Sequence, residues 1–158
     1  WYEYIIDDAK EIGKLIGIDI DNIWWSGFAS QGDGACFEGR YSYVKGSCKA
    51  VRDYAPKDEE LHQIADALRE AQRRAFYGLQ ASVKHVGHYH HEYSTSIDID
   101  GDYGDIDSDA IAEPLRDFMR WIYRRLDTEY YWQNEDEQIA ESFRANETEF
   151  TENGDLYY

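Results

Sequence analysis

Residues 18–44 read IDIDNIWWSGFASQGDGACFEGRYSYV, and the way this stretch folds decides the class of the whole chain. Its first part is β-branched and aromatic, the composition of a pleated strand. The SQGDGA segment at 30–35 supplies turn residues, after which the pattern resumes with a period of two. Ala35, Phe37, Gly39, Tyr41 and Tyr43 then share one face, while Glu38, Arg40 and Ser42 share the other. The stretch predicts an antiparallel hairpin with one buried face, anchored by Trp24, Trp25, Phe28 and Phe37.

Helical periodicity flanks the hairpin. In residues 2–16, Ile5, Ile6, Ala9, Ile12, Leu15 and Ile16 fall on one face, with Gly13 costing roughly 1 kcal/mol relative to alanine. Residues 57–78 form a second helix, capped by Asp58, with Leu61, Ile64, Ala65, Leu68, Ala75 and Phe76 as its stripe and Gly78 as its stop. The stretch 80–99 alternates again, with Gly87 marking a bulge or a second turn. A third large helix covers about 110–132, with Pro114 in its first turn and Leu115, Phe118, Met119, Ile122, Leu126 and Tyr130 buried. A short helix at 135–146 carries Ile139, Ala140 and Phe143, and an Asn-Gly turn predicts a small hairpin between Phe150 and Leu156. The expected fold is α+β: one domain over 1–158, a small antiparallel sheet with three to four helices packed on it.

The chain carries 33 acidic against 16 basic residues, a net charge of −17, yet is 42% hydrophobic and 16% aromatic. That composition folds rather than forming an acidic tail. Its charge repels nucleic acid and anionic membranes and favours partners with basic faces. No apolar run approaches the ~18 residues of a membrane span. Cys36 and Cys48 lack zinc-ligand spacing. These features predict a reduced, cytoplasmic protein, though acidity often serves solubility alone.

Four patterns offer chemistry, and each has a plainer reading. Asp98, Asp100, Asp102, Asp105, Asp107 and Asp109 alternate as ligands of a hard cation would. An EF-hand loop from Asp98 wants glycine at position 103 and glutamate at 109, where this chain has Tyr103 and Asp109. A solvated acidic loop, or a patch imitating phosphates, fits better. His88, His90 and Glu92 at the two-residue strand period would project together as metal ligands, or serve as polar strand residues. Asp33 and Glu38 sit in the hairpin without a catalytic partner, and WWSGF lacks the nucleophile elbow. Arg116, Arg120, Arg124 and Arg125 form a basic stripe that would pair with Asp117, Asp127 and neighbouring carboxylates, or instead bind an anion. No complete catalytic set emerges, and no cofactor is expected unless the histidines hold a metal ion.

WWSGFASQGDGACFEGR, HYHHEYS, LRDFMRWIYRRLDTEY and IAESFRANETEFTENG together resemble a family of small acidic bacteriophage proteins, some loosely labelled antitoxins of toxin–antitoxin systems. The resemblance implies a phage origin, the host cytoplasm as compartment, and stoichiometric binding rather than catalysis. The expected function is an acidic binding protein that sequesters a basic host or toxin protein, with Asp98, Asp100, Asp102, Asp105, Asp107, Asp109, Asp33 and Glu38 as contacts. A metal protein or enzyme using His88, His90 and Glu92 is the alternative, and a virion component the third.

Overall fold

The computed structural model describes residues 1–27, 32–101, 107–146 and 152–154. In chain order the elements are α1 (Glu3–Leu15), β1 (Ile18–Ser26), β2 (Gly34–Ser42), α2 (Ser47–Tyr54), α3 (Glu59–Arg74), β3 (Gln80–His85), β4 (Thr95–Asp100), α4 (Asp109–Gln133) and α5 (Asp136–Ala145). The strands make one antiparallel sheet in the order β1-β2-β3-β4. The fold is therefore α+β. Helix α1 packs on β1 and α4 on β2, while α3 lies against α4 and α2 against α3. A single hydrophobic core runs between these layers.

The hairpin forms as its sequence predicts, with a phase shift inside β1. Ile20 pairs with Gly39 and Asn22 with Glu38, so Asp21 is the extra residue of a β-bulge. The bulge moves the apolar register from Ile18 and Ile20 to Ile23 and Trp25, the residues that follow out of phase in the sequence. Gly39 is required opposite it: a Cβ there would stand 2.2 Å from the Asp19 carbonyl oxygen. The inward row of buried Ile18, Tyr41 and Ala81 and half-buried Ile99 alternates with a polar row, Asp19, Arg40, Ser82 and Asp98.

Helix α3 is capped as expected, with Asp58 Oδ1 accepting from the Leu61 amide at 3.1 Å. Its second oxygen accepts the Trp121 indole N–H at 2.9 Å, so one carboxylate starts α3 and ties it to α4. Gly13 is explained by proximity: a Cβ there would stand 3.0 Å from the Ile18 carbonyl, where α1 lies on β1. The propensity lost at Gly13 permits that approach.

Several expectations are corrected. Of the two alternatives at Gly87 the turn is realised rather than the bulge, but as a loop over 86–94 instead of a tight turn, because the chain leaves the sheet at His85 and returns at Thr95. Phe76 is outside α3 and 92% exposed, and the turn is made by Phe76 and Tyr77 at positive φ rather than by Gly78. Pro114 lies inside α4 rather than at its opening. Tyr130 is exposed, since α4 runs past the edge of the core below Leu126. Helix α5 buries none of its residues. Helix α2 had no expectation. The predicted terminal hairpin, Phe28, and the tip of the first hairpin fall largely or wholly outside the described residues.

Both cysteines are free. Burial, with Glu38 nearby, pushes the Cys36 thiol up to about 12. Partial burial also raises Cys48, and donation to the Asp66 carboxylate adds to that. Since the thiolate is the reactive form, a thiol reagent at pH 8 should modify Cys48 slowly and leave Cys36 unmodified until denaturant is added. Rapid modification of Cys36 in the folded protein would contradict this packing.

Candidate protein-binding surface

The carboxylates expected to act together are divided among different duties. Asp98 and Asp100 lie on β4, the edge strand, where they face solvent between Ile97 and Ile99. Asp107 precedes α4, and its Oδ1 accepts from the Asp109 amide at 3.1 Å, turning the chain into the helix. Asp109 sits in the first turn, where a negative charge suits the helix dipole. Asp102 and Asp105 lie outside the described residues. Asp33 closes against Gly27, whose absent Cβ would overlap the Asp33 carboxylate. Glu38 is half-buried and accepts the His85 amide at 3.2 Å, fastening the end of β3 to β2.

The hairpin and the 86–94 loop do meet, and they form a ring cluster. The His85 ring lies 5.1 Å from Trp24 and 5.0 Å from His90. The His85 Nε2 is 2.8 Å from the Tyr89 carbonyl, and the His91 Nδ1 accepts the Tyr93 amide at 3.1 Å. A Cβ on Gly34 would stand 2.6 Å from that of His91, so the glycine makes room for the loop. His88, His90 and Glu92 are loop residues here, and the shared strand face expected of them is absent. Glu92 instead pairs with Arg120 at 3.3 Å. Among the described residues no group of three histidine, cysteine or acidic side chains is placed to hold a metal ion.

The arginine stripe is neutralised, by carboxylates of its own helix for Arg116 and Arg120, as its sequence suggests, but by α3 and α1 for Arg124 and Arg125. Arg116 pairs with Glu113 at 3.0 Å, Arg124 with Glu60, and Arg125 with Asp8 at 3.0 Å. Arg120 bonds Asp117 at 2.6 Å and donates to the Tyr93 hydroxyl at 3.0 Å. Partial burial works against its charge, but Asp117 and Glu92 more than offset this and hold its pKa above the ordinary value. These pairs lock the loop to α4 and leave that face without spare positive charge for an anion.

A second aromatic group was not anticipated. Trp25 at the end of β1 lies 4.6 Å from Tyr2, Tyr2 5.6 Å from Trp1, and Trp1 6.0 Å from Tyr130. Tyr131 follows at 5.6 Å from Tyr130. The ribbon thus joins the sheet end, the start of α1 and the last turns of α4. Trp1, Tyr4, Tyr131 and Trp132 are each about half exposed, and α5 adds exposed Ile139 and Phe143. Residues 126–143 contain six carboxylates and no basic residue. One of them, Glu129, accepts from Gln133 at 2.8 Å and from Tyr4, which hold its pKa below the usual range. Asp136 and Glu137 suit the α5 N-terminus, but α4 ends with no basic residue in its last turn to oppose its dipole. Exposed aromatics ringed by charge mark interaction surfaces. The run YYW at 130–132 carries this signal in the sequence, masked because Tyr130 continues the buried period of α4.

No helix among the described residues is long and apolar enough to cross a membrane. A family model described as a domain of unknown function (DUF8835) matches residues 1–136. No curated protein and no solved structure matches the chain.

Proposed function

The chain belongs to the DUF8835 family, a domain of unknown function, and we propose that it acts as an acidic protein-binding domain. The observation that carries this reading is the ribbon of Trp1, Tyr2, Tyr130 and Tyr131, exposed together beside the carboxylates of α4 and α5. Its partner is a protein with an apolar centre and a basic rim: the aromatics bury area, while the net charge of −17 steers the encounter and sets its orientation. The resemblance to small phage proteins supports a host or toxin protein, sequestered in the host cytoplasm, as that partner. Asp98 and Asp100, on the opposite edge strand, add to the negative charge of the chain as a whole.

Capture of partners from host lysate on the immobilised protein, at low and high salt, tests the proposal. A basic protein should bind at low salt, weaken as salt rises, and lose about 2 kcal/mol or more of affinity to Tyr131→Ala or Trp132→Ala, as central aromatic contacts do. Both side chains are exposed, so their removal should leave the melting temperature within a few degrees. A partner that binds both variants as well as the parent protein would refute the ribbon's role.

A further inference from the structure

One region departs from the acidity of the rest. Between the start of α2 and the end of α3 lies a cavity of about 620 Å³, lined by Lys45, Lys49 and Arg69 and by no carboxylate. Lys49 is partly engaged by Asp53 at 2.6 Å. Lys45 and Arg69 make no ion pair among the described residues, whereas neighbouring Arg52 and Arg73 are held by Asp66 and Glu70, each at 2.7 Å. In a chain with twice as many acids as bases, this cavity gathers three cations with no carboxylate in its lining.

The same cavity has an aromatic wall. Tyr43 and Tyr77 lie with ring centroids 4.7 Å apart. Tyr77 is set there by a costly turn: Phe76 has φ of 56° and Tyr77 of 61°, a region that bulky side chains occupy at about 1–2 kcal/mol each. The turn is pinned by the Tyr77 amide donating to the Gln72 carbonyl at 2.7 Å. A glycine would relieve the strain but remove the ring. The start of α2 adds an N-cap, Gly46, that supplies no side-chain hydrogen bond. Cys48, also on the wall, is partly buried and donates its proton to Asp66, both of which raise its pKa.

We infer that this cavity binds a nucleoside monophosphate, with the base against Tyr43 and Tyr77 and the phosphate between Lys45, Lys49 and Arg69. A volume of about 620 Å³ exceeds that needed for a bare phosphate and falls within the range of small-ligand sites. The cations supply charge-assisted bonds to the phosphate oxygens, and stacking supplies sequence-tolerant affinity for the base. The site shares no residue with the aromatic ribbon, and its test does not depend on protein partners.

Isothermal titration of the purified chain with adenosine and guanosine 5′-monophosphates, the nucleosides and inorganic phosphate decides the matter. A monophosphate should bind about tenfold or more tighter than either its nucleoside or phosphate. Arg69→Gln should lose about tenfold for the monophosphate and little for the nucleoside. Tyr77→Asn, which tolerates positive φ, should weaken the monophosphate and leave phosphate unaffected. Absence of monophosphate binding up to millimolar concentration overturns the inference, as does equal affinity for phosphate and monophosphate. Thermal melts of both variants confirm that the chain still folds, so a loss of binding reads on the site.

Discussion

Replacing Gln72 with leucine is expected to destabilise the protein by about 2–5 kcal/mol, although the two side chains are similar in size. Gln72 is fully buried on the core face of α3. Its amide nitrogen donates to the Leu79 carbonyl at 2.7 Å and to the Tyr41 hydroxyl at 3.4 Å, and its carbonyl accepts the Leu79 amide at 3.0 Å. Leucine leaves both backbone groups of Leu79 buried without partners, and an unmet buried group costs about 1–3 kcal/mol. The same bonds hold the turn through Phe76 and Tyr77 to the start of β3, so the loss should be local as well as global. Denaturant unfolding measures the first, and faster hydrogen exchange at the Leu79 amide measures the second. A variant as stable as the parent would mean that this hydrogen-bonded bridge contributes nothing.

Phe118→Ala should cost about 3–5 kcal/mol and lower the melting temperature by about 10 °C or more. Phe118 is fully buried on α4 where that helix crosses β2. Its ring meets Phe37 edge-on at 6.1 Å and stacks on Trp121 at 5.5 Å, with planes 7° apart. Truncation opens a void beneath the centre of the sheet. The rigid strand and the Trp121–Asp58 bond on either side prevent its collapse, so the penalty should lie at the upper end for its type. Near-ultraviolet circular dichroism should weaken because Trp121 loses its stacked neighbour. A loss below about 1 kcal/mol would show that the layers can close the gap.

Much of this fold is legible in the chain. Alternation from Ala35 to Tyr41 places Phe37 inward, and the 3.6-residue stripes of α1, α3 and α4 name Ile12, Leu68 and Phe118 as core. Asp58 before a helical stripe is a cap signal, and it is one. Legibility fails where local pattern and long-range packing diverge. The 80–99 stretch alternates throughout, but residues 86–94 leave the sheet to pack against Trp24 and α4. Phe76 continues the α3 period but lies beyond the helix end. Tyr130 continues that of α4 but lies beyond the sheet that would cover it. A stripe states which residues are able to be buried, and not how far the opposite layer extends.

The candidate sites divide in the same way. Sequence alone determined the α+β class, the hairpin, the three main helices and the same-helix pairs of Arg116 and Arg120, because propensity, period and neighbouring charge are local quantities. Tertiary structure decided that Glu38 and Asp107 serve the backbone, that Glu92 belongs to Arg120, and that aromatics separated by more than a hundred residues make one ribbon. It also placed Lys45 and Arg69 on a cavity without carboxylates. Those outcomes depend on distances between elements, and such distances are set by packing of the whole chain rather than by any segment of it.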